Sequence, residues 1–403
     1  MAKKNKNKWI RLRHSIVRHS LYPGFYLYSK LVYNMTIDKF DLKGRQYVIL
    51  FNHQTAFDQF FVGMAFDAPV YYLASEDLFS KGFISKALKY LVAPIPIKKQ
   101  TTDVGAVMNC LRVAREGGNI ALAPEGNRTY SGHTEYIKPA VVKLVRTLKL
   151  PLLLYRIEGG YGVHPRWSDV VRKGKMHCYV SRVVEPEEYA SMTDDELLDL
   201  IRQGLYVHEG NADAEFHHSK RAEYLERAMY VCPFCGLTTY ESHGSEITCG
   251  RCGRTVEFAP TTELKGKGFD FPFSFVADWY DYQCDYINKL ELGKYMDMPA
   301  YVDKASLYEV ELYKNKHLVA KNVELALFGD RISITGTEEP LDITFEDTSV
   351  VTILGKNKLN IYFGDKVYQI KGDKRFNALK YMNFYFRYKN THSEVEDERF
   401  LGL

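Results

Sequence analysis

The sequence predicts an α/β domain followed by a small cysteine-containing unit and a small β unit. Three observations support this prediction. Between residues 46 and 184, short apolar runs alternate with helical stretches, as they do in α/β proteins. Two Cys-x-x-Cys pairs then begin at Cys232 and Cys249. From Leu307 onward, apolar and polar residues alternate between glycine-containing turns, a pattern typical of short antiparallel strands.

The α/β part contains six predicted strands and four predicted helices. We expect the strands at residues 47–51, 70–74, 95–97, 120–123, 152–157 and 176–184. We expect the helices at residues 56–66, 84–91, 104–116 and 140–148. The third helix stops at Gly117-Gly118, because glycine readily adopts the left-handed conformation that ends a helix.

The amino-terminal segment is strongly basic, although the whole chain carries a formal charge of only +4. Its first 30 residues contain no acidic residue and eight cationic ones: Lys3, Lys4, Lys6, Lys8, Arg11, Arg13, Arg18 and Lys30. Such a segment attracts anionic lipid head groups or nucleic acid. A solvated tail is the alternative interpretation.

Apolar residues recur at helical spacing on both sides of Pro23-Gly24, which predicts a two-helix hairpin. A basic helix with an apolar stripe that contains Trp9 suits the interface of a membrane, and the alternative is a stripe buried against the main domain. No run approaches the ~18 apolar residues that a membrane span needs, and the amino terminus lacks the apolar core of a secretory signal. We therefore expect a cytoplasmic protein held peripherally on the inner face of the cell membrane.

The predicted strand 47–51 ends in a polar motif that contains Asn52, His53 and Asp58. Polar groups at the carboxyl end of a strand are typical of active sites in α/β proteins. Residues five apart do not share one face of a helix, so His53 and Asp58 meet only if His53 lies on the loop that enters the helix. A carboxylate bonded to one imidazole nitrogen leaves the other nitrogen free to accept a proton from a hydroxyl.

A second polar motif follows the predicted strand 120–123. It reads Pro-Glu-Gly-Asn-Arg-Thr over residues 124–129, and Lys138 follows ten residues after Arg128. Gly126 permits a close backbone approach, and Arg128 with Lys138 supplies charges suited to a phosphate. The alternative is a structural ion pair between Glu125 and Arg128.

Together the two motifs resemble those of the glycerol-phosphate acyltransferases, specifically the 1-acyl-glycerol-3-phosphate acyltransferases. That family's blocks read Asn-His-Gln-Ser-x-x-Asp and Pro-Glu-Gly-Thr-Arg-Ser, and here they stand at residues 52–58 and 124–129. Ile137-Lys138 is similar to the family's Phe-Lys. The chain departs from the pattern where Lys98-Lys99 stands in place of an Arg, where Ser75 replaces a Lys, and where Pro139 stands at a common Gly.

The resemblance covers residues 45 to about 185 and implies a reaction. A fatty acyl group would pass from an acyl thioester, acyl-CoA or acyl-ACP, to a lysophospholipid, with 1-acyl-glycerol-3-phosphate giving phosphatidate as the first choice. His53 would be the general base and Asp58 would orient it. The implied acceptor-binding residues are Asn52, Glu125, Gly126, Arg128, Thr129, Lys98, Lys99 and Lys138.

The two Cys-x-x-Cys pairs predict a metal site. Cys232, Cys235, Cys249 and Cys252 form two knuckles separated by 13 residues, and four thiolates at this spacing suit tetrahedral zinc in a structural role. A zinc ribbon that binds nucleic acid or a partner protein is the alternative. Acidic and basic residues are balanced around the knuckles, which argues against nucleic acid as a partner.

The carboxyl-terminal residues are similar to pleckstrin-homology or GRAM-type barrels, in which a helix closes one end of seven strands. We therefore divide the chain into a basic helical hairpin that contacts the membrane (1–44), the acyltransferase domain (45–205), a helical connector (206–229), a zinc ribbon (230–260), an aromatic helical linker (261–300) and the β domain (301–395). A lipid-binding regulator without turnover is a rival interpretation, but it predicts loss of His53 or Asp58, and both are present.

Overall fold

A computed structural model describes residues 8–79, 82–97, 103–209, 214–311 and 316–392. The chain forms two compact units. The first comprises Met1–Pro165 and Val171–Ala214, and the second comprises Arg166–Val170 and Glu215–Leu403. No helix in the described residues is both long enough and apolar enough to cross a bilayer.

The first unit is built on a seven-stranded sheet. Its strands are β1 (Met35–Ile37), β2 (Val48–Phe51), β3 (Val70–Ser75), β4 (Ile95–Ile97), β5 (Asn119–Leu122), β6 (Leu152–Glu158) and β7 (Met176–Val184). They lie in the order β1-β7-β6-β2-β5-β3-β4. Strands β2 to β6 all run parallel to one another, β7 is antiparallel to β6, and β1 is parallel to β7. The carboxyl ends of β2 to β6 therefore share one edge.

Eight helices accompany this sheet in the described residues. They are α1 (Leu12–Tyr33), α2 (Asp58–Ala65), α3 (Phe83–Leu91), α4 (Val104–Arg115), α5 (Ala140–Leu148), α6 (Gly160–Val163), α7 (Pro186–Ala190) and α8 (Asp194–Leu205). Thr193 caps α8 by accepting a hydrogen bond from the Glu196 amide, and the Glu196 side chain accepts from the Thr193 amide in return. This reciprocal pair satisfies two amides that a helix start leaves unbonded.

The core of the first unit is apolar on both faces of the sheet. All four residues of β2 are buried, as expected for a central parallel strand covered on both sides. Val48 and Leu50 belong to a cluster with residues of α4, α5 and α8. Ile49 and Phe51 point to the opposite face because side chains alternate along a strand. The six predicted strands are therefore present, and the sequence pattern missed only β1.

The prediction of a two-helix hairpin is wrong, because α1 continues through Pro23. Proline costs a helix about 3 kcal/mol, so packing on both sides must compensate. His14 lies buried before Pro23, and Ser29 and Tyr33 lie buried after it. Trp9 precedes the helix and is half-buried, with its Nε1 donating to the carbonyl of Ala93 at 2.9 Å. Trp9 therefore does not belong to the apolar stripe that was expected on the helix.

The second unit begins with six short strands. They are β8 (Val231–Cys232), β9 (Gly236–Leu237), β10 (Tyr240–His243), β11 (Glu246–Cys249), β12 (Thr255–Phe258) and β13 (Leu264–Gly266). β8 pairs with β9, and β10 to β13 form an antiparallel sheet in sequence order. The sheet extends past the predicted end of the ribbon at residue 260. The predicted helical connector is also wrong, because the described part of 206–229 contains no α-helix.

A helix and a second sheet complete this unit. Helix α9 (Val276–Asn288) precedes β14 (Tyr301–Val310), β15 (Lys316–Leu327), β16 (Arg331–Thr335), β17 (Leu341–Thr344), β18 (Thr348–Leu354), β19 (Lys358–Phe363), β20 (Lys366–Gly372) and α10 (Leu379–His392). The antiparallel strand order is β17-β16-β15-β14-β20-β19-β18. Seven strands and a terminal helix match the predicted elements. The two edge strands do not pair in the described residues, and the closed barrel stays a prediction.

The segment Arg166–Val170 is held inside the second unit by polar contacts and burial. Arg227 donates to the Trp167 carbonyl at 2.7 Å and to the Asp169 carboxylate at 2.8 Å. Arg166 donates to the Ile353 carbonyl at 3.1 Å. The Trp167 side chain is fully buried.

Candidate active site

His53 and Asp58 meet at the carboxyl end of β2. Asp58 is the first residue of α2, and His53 lies on the loop that joins β2 to this helix. The Nδ1 atom of His53 lies 2.7 Å from Oδ2 of Asp58. The His53 side chain is 24% exposed, whereas the Asp58 side chain is fully buried. The predicted loop-to-helix junction is therefore present, and it brings the two side chains together.

The Asp58 carboxylate is fixed by more than the histidine. It accepts hydrogen bonds from the Gln54 amide at 2.7 Å, from the Thr55 amide at 2.9 Å, and from the Thr55 hydroxyl at 2.7 Å. All of these donors belong to the two residues that directly follow His53. The loop thus wraps around the carboxylate, and the carboxylate fixes the imidazole through Nδ1.

Glu125 joins the second motif to the first. One oxygen of its carboxylate accepts from the His53 amide at 2.7 Å, and the other accepts from the Glu135 amide at 2.8 Å. The Thr129 amide donates to the His53 carbonyl at 3.0 Å, which adds a second link. Burial raises the pKa of Glu125 well above its usual value, and the two amide bonds act in the opposite direction. These contacts make Glu125 a positioning residue for His53.

Two residues predicted to bind the acceptor have other contacts in this geometry. The fully buried Asn52 amide donates to the Ile157 carbonyl at 2.8 Å and accepts from the Ile157 amide at 2.7 Å. The hydroxyl of Thr129, also fully buried, accepts from the amides of Ser131 and Gly132 at 3.2 and 2.9 Å. Direct acceptor binding by Asn52 or Thr129 does not fit these contacts, because both side chains are buried and serve the backbone.

Arg128 and Gly126 remain candidates at the open edge of the sheet. Arg128 is half-buried and directly precedes Thr129, whose amide binds the His53 backbone. The charges of Asp58 and Arg128 both act on the Tyr33 phenol, which places the three groups in one neighbourhood. Gly126 is exposed and has a φ of +71°, a conformation that glycine adopts without strain.

The predicted lysines have different outcomes. Lys138 lies two residues before α5, and partial burial lowers its pKa from the usual value. Its role in phosphate binding stays a prediction. Lys98 and Lys99 lie outside the described residues.

Sequence reasoning missed three contributors to this site. The Gln54 side chain accepts from the Tyr161 amide at 3.0 Å, which connects the residue after His53 to α6. Tyr33 at the end of α1 is buried, and its hydroxyl lies 3.2 Å from Nδ1 of His164. Burial is the largest cause that raises the pKa of Tyr33. Gln54 stands inside the quoted motif, but no sequence signal marks Tyr33 or His164.

An apolar surface covers part of α1 and α3. We call it the α1/α3 surface, and its exposed residues are Leu12, Ile16, Leu21, Tyr26, Leu27, Tyr28, Leu31 and Val32 on α1 and Phe83 and Tyr90 on α3. The Arg13 side chain joins the helices by donating to the Tyr90 carbonyl at 2.7 Å. These exposed large apolar side chains make the α1/α3 surface a candidate interaction site.

In the described residues, one group of side chains has the spacing of metal ligands. It comprises Cys232, Cys235, Cys249 and Cys252, whose sulfur atoms all lie within 4.8 Å of one another. The predicted ligand set is therefore assembled in the second unit.

The chain was compared with known proteins and with protein families. A comparison with curated proteins found no match. Among solved structures, the crystal structure of the 1-acyl-sn-glycerophosphate acyltransferase PlsC from Thermotoga maritima matches at 16% identity and a TM-score of 0.35, covering 48% of this chain and 93% of that chain. The model of the acyltransferase family matches residues 33–157, a range that contains His53, Asp58 and Glu125. The residues that match the acyltransferase family model all lie in the first unit.

Proposed function

We propose that the chain transfers a fatty acyl group from an acyl thioester to the free hydroxyl of a lysophospholipid at a membrane surface. The observation that carries this proposal is the 2.7 Å bond between His53 Nδ1 and a buried, multiply bonded Asp58 carboxylate. It lies in the domain that the acyltransferase family model matches. Acyl transfer to a hydroxyl needs a base that removes the hydroxyl proton, and this pair supplies one.

The reaction uses the two nitrogen atoms of His53 for different purposes. The bond to Asp58 favours the tautomer that carries its hydrogen on Nδ1, so Nε2 accepts the proton of the acceptor hydroxyl. The deprotonated oxygen then attacks the thioester carbonyl and forms the new ester bond. As the carbon–sulfur bond breaks, the imidazolium returns its proton to the leaving thiolate. Asp58 stabilises the imidazolium through Nδ1 and does not itself take the proton.

We propose that cationic residues of the first unit recognise the acceptor. A planar guanidinium binds phosphate through two parallel hydrogen bonds, which makes Arg128 the preferred contact for the acceptor head group. Lys138, Lys98 and Lys99 are further candidates for this role. We propose 1-acyl-glycerol-3-phosphate as the acceptor, phosphatidate as the product, and acyl-CoA or acyl-ACP as the donor.

The α1/α3 surface is the proposed membrane contact. Leu12 is 80% exposed and Leu31 is 76% exposed, and cationic Lys30 is exposed beside Leu31. Burying a leucine side chain stabilises by about 1.5 to 3 kcal/mol, so a few such residues can hold a protein on a bilayer. The acceptor lipid lies in the bilayer, and a membrane-bound enzyme would meet it there.

The catalytic proposal is tested by assaying product formation with several acyl thioesters and lysolipids. His53→Ala should reduce turnover by about 10²- to 10⁴-fold, because a positioned general base contributes this much. The chain offers a matched control in His177, which bonds Asp38 at 2.9 Å in the same unit but is exposed. His177→Ala should retain activity. Equal losses in both variants, or full activity of His53→Ala, would contradict the proposal.

The membrane proposal is tested separately by sedimentation with neutral and anionic vesicles. Leu27→Asp with Leu31→Asp should lower vesicle binding by more than about tenfold, because it removes two apolar contacts and adds two negative charges. Tyr206→Asp is the control, since Tyr206 is 53% exposed in the same unit but lies outside the α1/α3 surface. Unchanged binding of the double variant would reject this surface as the contact.

A further inference from the structure

Four of the five cysteine sulfurs of the second unit have the spacing of a tetrahedral metal site. Sγ of Cys232 lies 3.8 Å from Sγ of Cys252, and Sγ of Cys235 lies 3.6 Å from Sγ of Cys249. Zinc–sulfur bonds of about 2.3 Å place the sulfurs of a tetrahedral site about 3.8 Å apart. A disulfide would need about 2.05 Å. We propose that these four cysteines hold one Zn²⁺ ion and that the ion stabilises the whole second unit.

The backbone around the sulfurs has the same form in both knuckles. Gly236 and Gly253 directly follow the second cysteine of each pair, and their φ angles are +77° and +70°. Only glycine adopts such angles without strain, and they turn the chain back so that both sulfurs of a pair face one point. The amide of Phe234 hydrogen-bonds to the Cys232 sulfur, and the amide of Arg254 hydrogen-bonds to the Cys252 sulfur.

The charge of the site is also balanced by its surroundings. Four thiolates and one Zn²⁺ carry a net charge of −2. The Arg254 side chain contacts the Cys252 sulfur, and the Arg251 side chain donates to the Cys235 carbonyl at 2.8 Å. The hydroxyl of Thr238 lies 3.4 Å from the Cys249 sulfur. Four protein ligands fill the tetrahedron, so the ion has a structural role and no open position for a substrate.

The residues that lead into the first knuckle hydrogen-bond to side chains of helix α9. Trp279 donates from Nε1 to the Val231 carbonyl at 2.9 Å, next to Cys232. The Gln283 side chain accepts from the Tyr230 amide at 2.8 Å and donates to the Ala228 carbonyl at 2.9 Å. Trp279 and Gln283 are both fully buried. The chain that leads into the metal site is therefore part of the core formed by α9.

Tyr230, which directly precedes β8, also hydrogen-bonds to the β domain (β14 to α10). The Tyr301 hydroxyl on β14 donates to the Tyr230 carbonyl at 2.9 Å, and the Asn383 amide on α10 donates to the Tyr230 hydroxyl at 2.7 Å. The strands around the metal site are short, and such hairpins are marginally stable alone. Because the cysteine strands and the β domain share this core, loss of the ion should weaken both.

Metal content is the first test. The purified wild-type chain should contain one zinc per chain by elemental analysis, and Cys235→Ser and Cys249→Ser should lose it. Cys284→Ser is the control, because Cys284 lies on α9 in the same unit but outside the sulfur cluster. Iron in place of zinc, or full zinc content in Cys235→Ser, would overturn the proposal.

The stabilising role is tested with all four cysteines in place, so that a cysteine variant that fails to fold does not confuse the result. Trp9→Phe leaves Trp167 and Trp279 as the tryptophans, and both belong to the second unit. Removing zinc with a chelator should shift their fluorescence and lower the melting temperature by about 10 °C or more, and added Zn²⁺ should restore both. Unchanged emission and melting after complete zinc removal would overturn the stabilising role. The zinc content of His53→Ala should equal that of the wild type, so this inference stands apart from the proposed reaction.

Discussion

Two histidine–aspartate pairs in the first unit have similar hydrogen bonds and very different surroundings. His53 bonds Asp58 at 2.7 Å, and His177 bonds Asp38 at 2.9 Å. The Asp58 side chain is fully buried, whereas the Asp38 side chain is 55% exposed. Asp58 also accepts bonds from the backbone and hydroxyl of the preceding residues. The fixed, buried carboxylate therefore distinguishes the proposed catalytic pair from the exposed pair.

Replacing each aspartate by asparagine should give the largest difference between the two pairs. Asp58→Asn should lower kcat by about 10³- to 10⁴-fold, because the neutral amide no longer holds the imidazole in the required tautomer or stabilises its charged form. Asp38→Asn should change kcat by less than about twofold, as expected for an exposed pair. The measurement is steady-state kinetics with both variants checked for folding by circular dichroism. Similar kcat values for the two variants would remove the distinction.

Removing a hydrogen bond of Glu125, which joins the two motifs, should have the next largest effect on kcat. In Glu125→Gln the side-chain nitrogen cannot accept a hydrogen bond, so the amide of His53 or Glu135 loses its partner. An unsatisfied buried amide costs about 1 to 3 kcal/mol, and the displaced His53 should reduce kcat by about 10- to 100-fold. Kinetics with a chemical denaturation curve on the same sample separates the two effects. Unchanged kcat would show that Glu125 does not position His53.

Substitution of Thr55 measures how much one hydrogen-bond donor to Asp58 contributes to kcat. Thr55→Val removes the hydroxyl that donates to Asp58 at 2.7 Å and keeps the amide bond and the shape of the side chain. We expect a loss of about 3- to 10-fold in kcat, which corresponds to the ~1 kcal/mol of one hydrogen bond. Thr55→Ser restores the hydroxyl and should recover most of this loss. A valine variant with full activity would limit the contribution to the backbone donors.

Another buried carboxyl, Glu209, should affect the pH dependence of stability and not kcat. Burial raises the pKa of Glu209 to about 8, although its carboxylate accepts from the Gly159 amide at 2.6 Å. The folded chain then binds a proton more tightly than the unfolded chain, whose glutamates titrate near 4.3. Stability should therefore fall as pH rises from about 4.3 to 8, and Glu209→Gln should flatten this fall. Thermal unfolding at pH 6 and pH 9 measures the difference. Parallel pH profiles for the variant and the wild type would contradict the prediction.

The local features of the site could be predicted from the sequence. The His53–Asp58 contact spans six residues, and each cysteine knuckle spans four, so spacing alone restricts their geometry. Apolar periodicity predicts helix α9 and the seven strands of the β domain, because such a pattern also involves only residues close together in the chain. The extent of α1 could not be predicted, because packing at residues on both sides of Pro23 outweighs the local preference of proline.

Contacts between side chains and distant backbone atoms could not be predicted. Glu125, Asn52 and Thr129 are polar residues in a functional motif, and residue type alone does not show that their partners are backbone groups. Glu125 accepts from one amide 72 residues earlier and from another ten residues later, and the amide that Asn52 accepts from is 105 residues later. Such pairings depend on which strands are neighbours, and the strand order is set by the fold of the whole sheet.

The position of Arg166–Val170 within the second unit has a consequence for how the chain is made. Arg166 hydrogen-bonds to Ile353, which is 187 residues later in the chain. At roughly 5 to 20 residues per second, ribosomal synthesis separates these residues by about 10 to 40 s. During this interval Trp167 has been made but the carbonyl partner of its neighbour Arg166 has not. The ring that packs against Trp167 belongs to Phe258, so all seven strands of the first unit are synthesised before this contact can form.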